Sequence, residues 1–218
     1  MPSSTLARSV SLSLVLLCLS ACETGGPARR LDDTSVPLMK PGYGLVATTL
    51  IERSRLHSTG QPVSVASAGT TIAFYDPVRG SGGSAFLVHP RGETRASVVN
   101  PAQAGKADRG YMAFLTPVKP GKYHLNQLLV GVPGNQQGVG PKDEPVFEVV
   151  EGQVTYAGSM QMWTWLTPGG GNGGYVPVKR TVEVVDEYAK DMALIGAKEP
   201  RLSTVMIRNG VARQPAPN

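Results

Sequence analysis

Beyond Pro41, no apolar run lasts long enough to make a buried helix, and Gly, Pro, Asn or Asp closes one run after another. Short runs separated by turn formers at regular intervals are the signature of an all-β sandwich or barrel. Helical periodicity is absent until the last part of the chain. The expected fold is therefore mainly β, an antiparallel β-sandwich over residues 42–212 with one short C-terminal helix.

The runs themselves assign the strands. Residues 43–51 mix Leu45, Val46, Leu50 and Ile51 with Thr48 and Thr49, as a strand covered on both faces would. Residues 71–75 stop at Asp76-Pro77, and residues 85–88 stop at His89-Pro90, with a flexible hairpin tip over Gly80-Ser81-Gly82-Gly83 between them. That glycine-rich stretch is no phosphate loop, because no Gly-Lys-Ser/Thr follows it and no helix begins there. Residues 91–109 are mostly polar and read as a long loop. Residues 111–115 are expected to pair with 123–130 across Lys119-Pro120-Gly121-Lys122, a type II turn sequence. Residues 146–150 and 153–157 flank Glu151-Gly152 as a second hairpin.

The segments Pro120-Gly121-Lys122-Tyr123-His124-Leu125 and Phe147-Glu148-Val149-Val150-Glu151-Gly152-Gln153-Val154-Thr155-Tyr156-Ala157-Gly158 together resemble a pattern found in small bacterial outer-membrane lipoproteins of uncharacterised function. The resemblance implies a prealbumin-like or carboxypeptidase-regulatory-like β-sandwich, within the immunoglobulin- or prealbumin-like class expected of the fold, and a cell-envelope compartment. It transfers no catalytic residue.

In residues 160–166, Met160, Met162, Thr164 and Leu166 alternate with Gln161, Trp163 and Trp165, which sets both tryptophans on one strand face. Such a pair can form a stacking platform for sugar or peptide, although cover for the core or a sheet edge is the commoner role of aromatics in these folds. A glycine-rich loop over residues 168–174 leads to a return strand at 176–184. Asp186 then opens a helix whose Tyr188, Met192 and Ile195 share one face, with Gly196 at its end. Glu187 and Asp191 share a helical face too, and like charges so placed are expected in solvent. A last strand at 202–208 precedes a frayed tail over 213–218.

The N-terminus specifies a compartment. Arg8, an apolar run from Val10 to Leu19, and small residues before Cys22 have the order of a secretory signal, and the run is too short to span a bilayer. Leu19-Ser20-Ala21-Cys22 resembles the lipobox of bacterial lipoproteins, which implies cleavage after residue 21 and lipid on Cys22. Glu23 in place of aspartate implies, by the same resemblance, the outer membrane. Residues 22–41, with Gly25, Gly26, Pro27, Pro37 and Pro41, read as a flexible tether of about 25 Å as a coil. Cys18 leaves with the signal, so no disulfide is expected.

Catalytic patterns are missing. His57, His89 and His124 stand at no metal-ligand spacing, and neither a Gly-x-Ser-x-Gly elbow nor a His-Glu-x-x-His pair occurs. The net charge of +5 is modest and its basic residues are scattered, so nucleic acid is not an expected partner. The expected protein is a non-enzymatic, lipid-anchored envelope module without cofactor or metal. Its expected partners are the membrane, through Cys22, and an envelope protein, a glycan or lipopolysaccharide. The alternatives are an accessory subunit of a secretion or surface-assembly machine and a lipid-anchored hydrolase.

Overall fold

A computed structural model describes residues 29–63, 70–77, 86–88, 94–98, 108–132, 135–141, 145–169 and 174–211. The expected signal (1–21), Cys22, the first part of the tether, the tip at 80–83, His89 and the tail at 213–218 lie outside the described residues.

The fold is mainly β, and the described residues form two sheets and one α-helix. Its strands are β1 (Gly44–Leu56), β2 (Thr70–Pro77), β3 (Phe86–Val88), β4 (Arg95–Val98), β5 (Asp108–Val118), β6 (Gly121–Val132), β7 (Asn135–Val139), β8 (Val146–Val149), β9 (Val154–Pro168), β10 (Tyr175–Val185) and β11 (Ile207–Asn209), and α1 spans Tyr188–Lys198. The larger sheet runs β10-β9-β1-β5-β4, with β11 also on β9, and the smaller runs β3-β2-β6-β7, with β8 also on β6. The larger sheet is mixed, not antiparallel throughout. Its central strands β1 and β9 pair in parallel over Leu45–Val154 to Leu56–Leu166. Burial on both faces, which such a parallel pair requires, is visible in β1, whose first eight residues are all buried.

Two apolar layers follow from the alternation. Val46, Leu50, Phe114, Val118, Met160, Met162 and Val182 from the larger sheet meet Tyr123, Leu125, Leu128, Phe147 and Val149 from the smaller in one core. On the other face of the larger sheet, Leu45, Ala47, Ile51, Leu115 and Tyr156 pack with Ile195 of α1 and Leu202.

Both expected hairpins are arches between sheets instead. β5 belongs to the larger sheet and β6 to the smaller, so the turn at 119–120 carries the chain across the core, and Tyr123 OH donates to the Lys119 carbonyl at 3.0 Å. β8 and β9 are likewise in different sheets, joined through Glu151-Gly152, and Thr155 Oγ1 donates to the Glu148 carbonyl at 2.9 Å. A hairpin and an arch share the same inward–outward alternation, so the pattern alone does not separate them.

Three further expectations are corrected. Part of the 91–109 loop is β4, which pairs antiparallel with β5. The last strand is shorter, because residues 200–204 form a 3-10 turn with Pro200 in its first positions. The tether ends at residue 28 at the latest: Leu31 is fully buried in the layer beneath α1, and the Ala96 amide donates to the Arg29 carbonyl at 2.8 Å. Leu31, Leu38 and Met39 are the apolar residues that dock this segment. They are too few to make a period.

Candidate binding face

Trp163 and Trp165 point away from the core between the sheets because of one residue. In the parallel pair, Ala47 stands opposite Tyr156 but Thr49 stands opposite Ser159, so β9 carries one extra residue. Gly158 supplies it, with φ +99°, and its carbonyl accepts from Thr48 Oγ1 at 2.8 Å. A bulge inverts the alternation beyond it. Before the bulge, Val154 and Tyr156 face the helix layer; after it, Met160 and Met162 enter the core between the sheets. Ser159, Gln161, Trp163 and Trp165 are thereby sent to the helix side.

There α1 covers only the lower rows. Beyond it, cross-strand register forms two ladders: Arg53 (β1), Trp163 (β9) and Thr181 (β10), then Arg55, Trp165 and Lys179. The guanidinium carbons of Arg53 and Arg55 lie 5.0 and 4.9 Å from the centre of the Trp163 ring. Arg53 also donates to Gln161 Oε1 at 3.1 Å, and Arg55 to the Gly60 carbonyl at 3.4 Å. A cation over an indole is worth about 0.5–1 kcal/mol at an exposed site. His57, in the turn after β1, meets the Trp165 ring edge-on at 6.5 Å. All four side chains of the arginine–tryptophan ladders are half-buried. The expectation of two tryptophans on one face therefore holds, and the arginines between them are what the sequence reading missed. Arg53 and Arg55 alternate as the tryptophans do, but only the parallel register brings the two strands side by side.

The two described histidines do not meet. His57 ends the larger sheet and His124 lies in β6 of the smaller. Among the described residues no group of three His, Cys, Asp or Glu could hold a metal ion.

Two buried charged sites lie elsewhere. Asp191 of α1 is fully buried, where solvent was expected, and its Oδ2 accepts from Thr49 Oγ1 at 2.5 Å and from Tyr156 OH at 2.6 Å. Burial raises its pKa to about 6, opposed by the Thr49 hydrogen bond. Its Oδ1 and the buried Ser159 Oγ have no hydrogen-bond partner among the described residues. Below α1, Glu199 accepts from Arg95 at 3.0 Å and from Arg201 Nε at 2.7 Å, while Arg201 donates to the Val36 and Asp33 carbonyls, each at 2.9 Å. Burial pushes the Glu199 carboxyl up, but the hydrogen bonds and charge of Arg201, with the charge of Arg95, hold it below its ordinary value.

Comparison of the chain with protein-family models, with curated proteins and with solved structures finds no match. The reading of function rests on the residues alone.

Proposed function

We propose that this chain is a lipid-anchored protein of the bacterial outer membrane, held by lipid on Cys22, whose folded body is a binding module and not an enzyme. In this reading the two sheets, which share one core, are the halves of a single sandwich of the prealbumin-like kind. The observation that carries the binding role is the pair of arginine–tryptophan ladders on a sheet face beyond α1. Long side chains arranged by register on a rigid sheet are suited to holding a ligand. The anchor reading draws on Leu19-Ser20-Ala21-Cys22, and the six residues between Cys22 and the docked Arg29 can span at most about 20 Å.

A second reading, an accessory subunit of a surface-assembly machine, is favoured by β10. This strand borders the larger sheet, and Tyr175, Val176 and Val178 are exposed on it. Pro177 and Lys179 interrupt the same edge, as they do where strand addition is discouraged, and the binding module stands first for that reason.

Cells fed radiolabelled palmitate test the anchor: label on the wild-type chain, absent from Cys22→Ala, is expected in the outer-membrane fraction. An unlabelled, full-length chain in the cytosol would overturn it. Crosslinking in cells followed by purification should capture an envelope component, and a body that captures neither protein, glycan nor lipid is not a binding module.

A further inference from the structure

The outermost ladder sets a cation on each side of an indole: Arg55, Trp165 and Lys179 lie in one row across three adjacent strands. Adjacent strands are about 4.8 Å apart, so the backbones of Arg55 and Lys179 stand about 10 Å apart with that of Trp165 between them, and the Arg55 guanidinium leans over the Trp163 ring of the next row. The ladder below repeats the arrangement with Arg53 beside Trp163, about 6.7 Å further down the strands. The acids of these strands and of β5 lie off the outer row, Glu52 being in register with Met162, Asp108 with Arg53 and Glu183 with Gln161. Among the described residues the surface is thus a twofold repeat of ring and cation on one sheet face.

We infer that this face binds an acidic polysaccharide, with a sugar ring seated over Trp165 and its carboxylates met by Arg55 and Lys179. A ligand that repeats ring and acid along its length matches a surface that repeats indole and guanidinium along its strands. Arg55, fixed against Trp163 and the Gly60 carbonyl, presents a pre-oriented fork to a carboxylate. Lipid headgroups are the poorer fit by position. Arg29 pairs with Arg95, which through Leu115 is level with Ala47, and from Ala47 to Arg55 the strand climbs about 26 Å. The docked N-terminal segment and this face therefore occupy different ends of the larger sheet.

The inference rests on the binding-module reading and not on the lipid. The chain has two tryptophans, both in the ladders, so their emission reports the site directly. Detergent-solubilised full-length protein is titrated with polygalacturonate, with neutral dextran, with polyglutamate and with phosphatidylglycerol vesicles. Polygalacturonate is expected to change the emission saturably, with affinity falling as salt rises, while dextran has no effect and polyglutamate and vesicles bind more weakly. Arg55→Ala should weaken polygalacturonate binding about tenfold with an unchanged circular-dichroism spectrum. If that variant misfolds, the exposed Lys179→Ala carries the same expectation. The inference is overturned by failure to bind polygalacturonate, by equal binding of dextran, by tighter binding of polyglutamate or vesicles, or by wild-type affinity in a folded variant. Crosslinking capture separates the two readings: a chain that captures an envelope component but ignores polygalacturonate sinks this inference alone, and a chain that does neither sinks the binding module with it.

Discussion

Asp191 shows how burial of one carboxyl sets a pH dependence. Its position in the helix was legible, but its direction was not, since a helical wheel through Glu187 and Asp191 gives no sign that the second lies over two hydroxyls from different strands. Folding raises its pKa from 3.8 to about 6, so the native state holds this proton more tightly than the unfolded chain. Its contribution to stability is fully present below about pH 4 and is lost as pH rises through 6, at a cost of about 3 kcal/mol above that. In Asp191→Asn the Thr49 and Tyr156 hydroxyls keep an oxygen acceptor and no charge is buried. The variant is expected to be about 3 kcal/mol more stable than wild type at pH 8, with the difference shrinking toward pH 4. Urea unfolding at both pH values measures it, and parallel stability curves for the two proteins would refute the account.

At the scale of elements, alternation was readable and its partners were not. The sequence places Trp163 opposite in phase to Met162, and the structure agrees; whether the tryptophans face the core or the helix side depends on Gly158, whose effect is invisible until β9 is laid beside β1. The same holds for the arches, since Phe114, Val118, Tyr123 and Leu125 would alternate identically in a hairpin. A glycine is required at the bulge on two grounds. Its φ of +99° is unfavourable for any residue with a Cβ, and that atom would lie 2.5 Å from Val184 Cγ1 and 3.3 Å from Val211 Cγ2. Gly158→Ala is therefore expected to cost about 2 kcal/mol, a fall of roughly 6 °C in Tm. Because the bulge sets the phase of everything after it, the emission of Trp163 and Trp165 should shift as well. A variant with wild-type Tm and emission would show that the bulge does not set the direction of the tryptophans.

In the whole molecule, one buried carboxylate joins three pieces distant in sequence. Glu199 follows α1, Arg95 begins β4, and Arg201 reaches back to the carbonyls of Asp33 and Val36, while Arg95 holds that of Pro37. Sequence pattern could not reveal this latch, because it consists of single charged residues in segments that read as tether, loop and the link between the helix and the last strand. It is also what converts residues 29–41 from tether into part of the body. Breaking a buried ion pair by removing one partner leaves the other charge uncompensated, at about 3–5 kcal/mol, and here two arginines would be left. Glu199→Ala is thus expected to lower stability by about that amount and to free residues 33–37, so that trypsin cuts at Arg29 or Arg30 sooner than in the wild type. Glu199→Gln keeps the acceptor toward Arg201 without the charge and should fall between the two. Since Glu199 is paired and held below its ordinary pKa, the wild-type latch should persist at neutral pH and open as acid protonates it, whereas Glu199→Gln should show no such acid step. Cleavage by trypsin at pH 7 and by pepsin at pH 2.5, each scaled to the rate on the unfolded chain, measures both effects, and equal rates in all three proteins would mean that the segment is held by Leu31, Leu38 and Met39 alone.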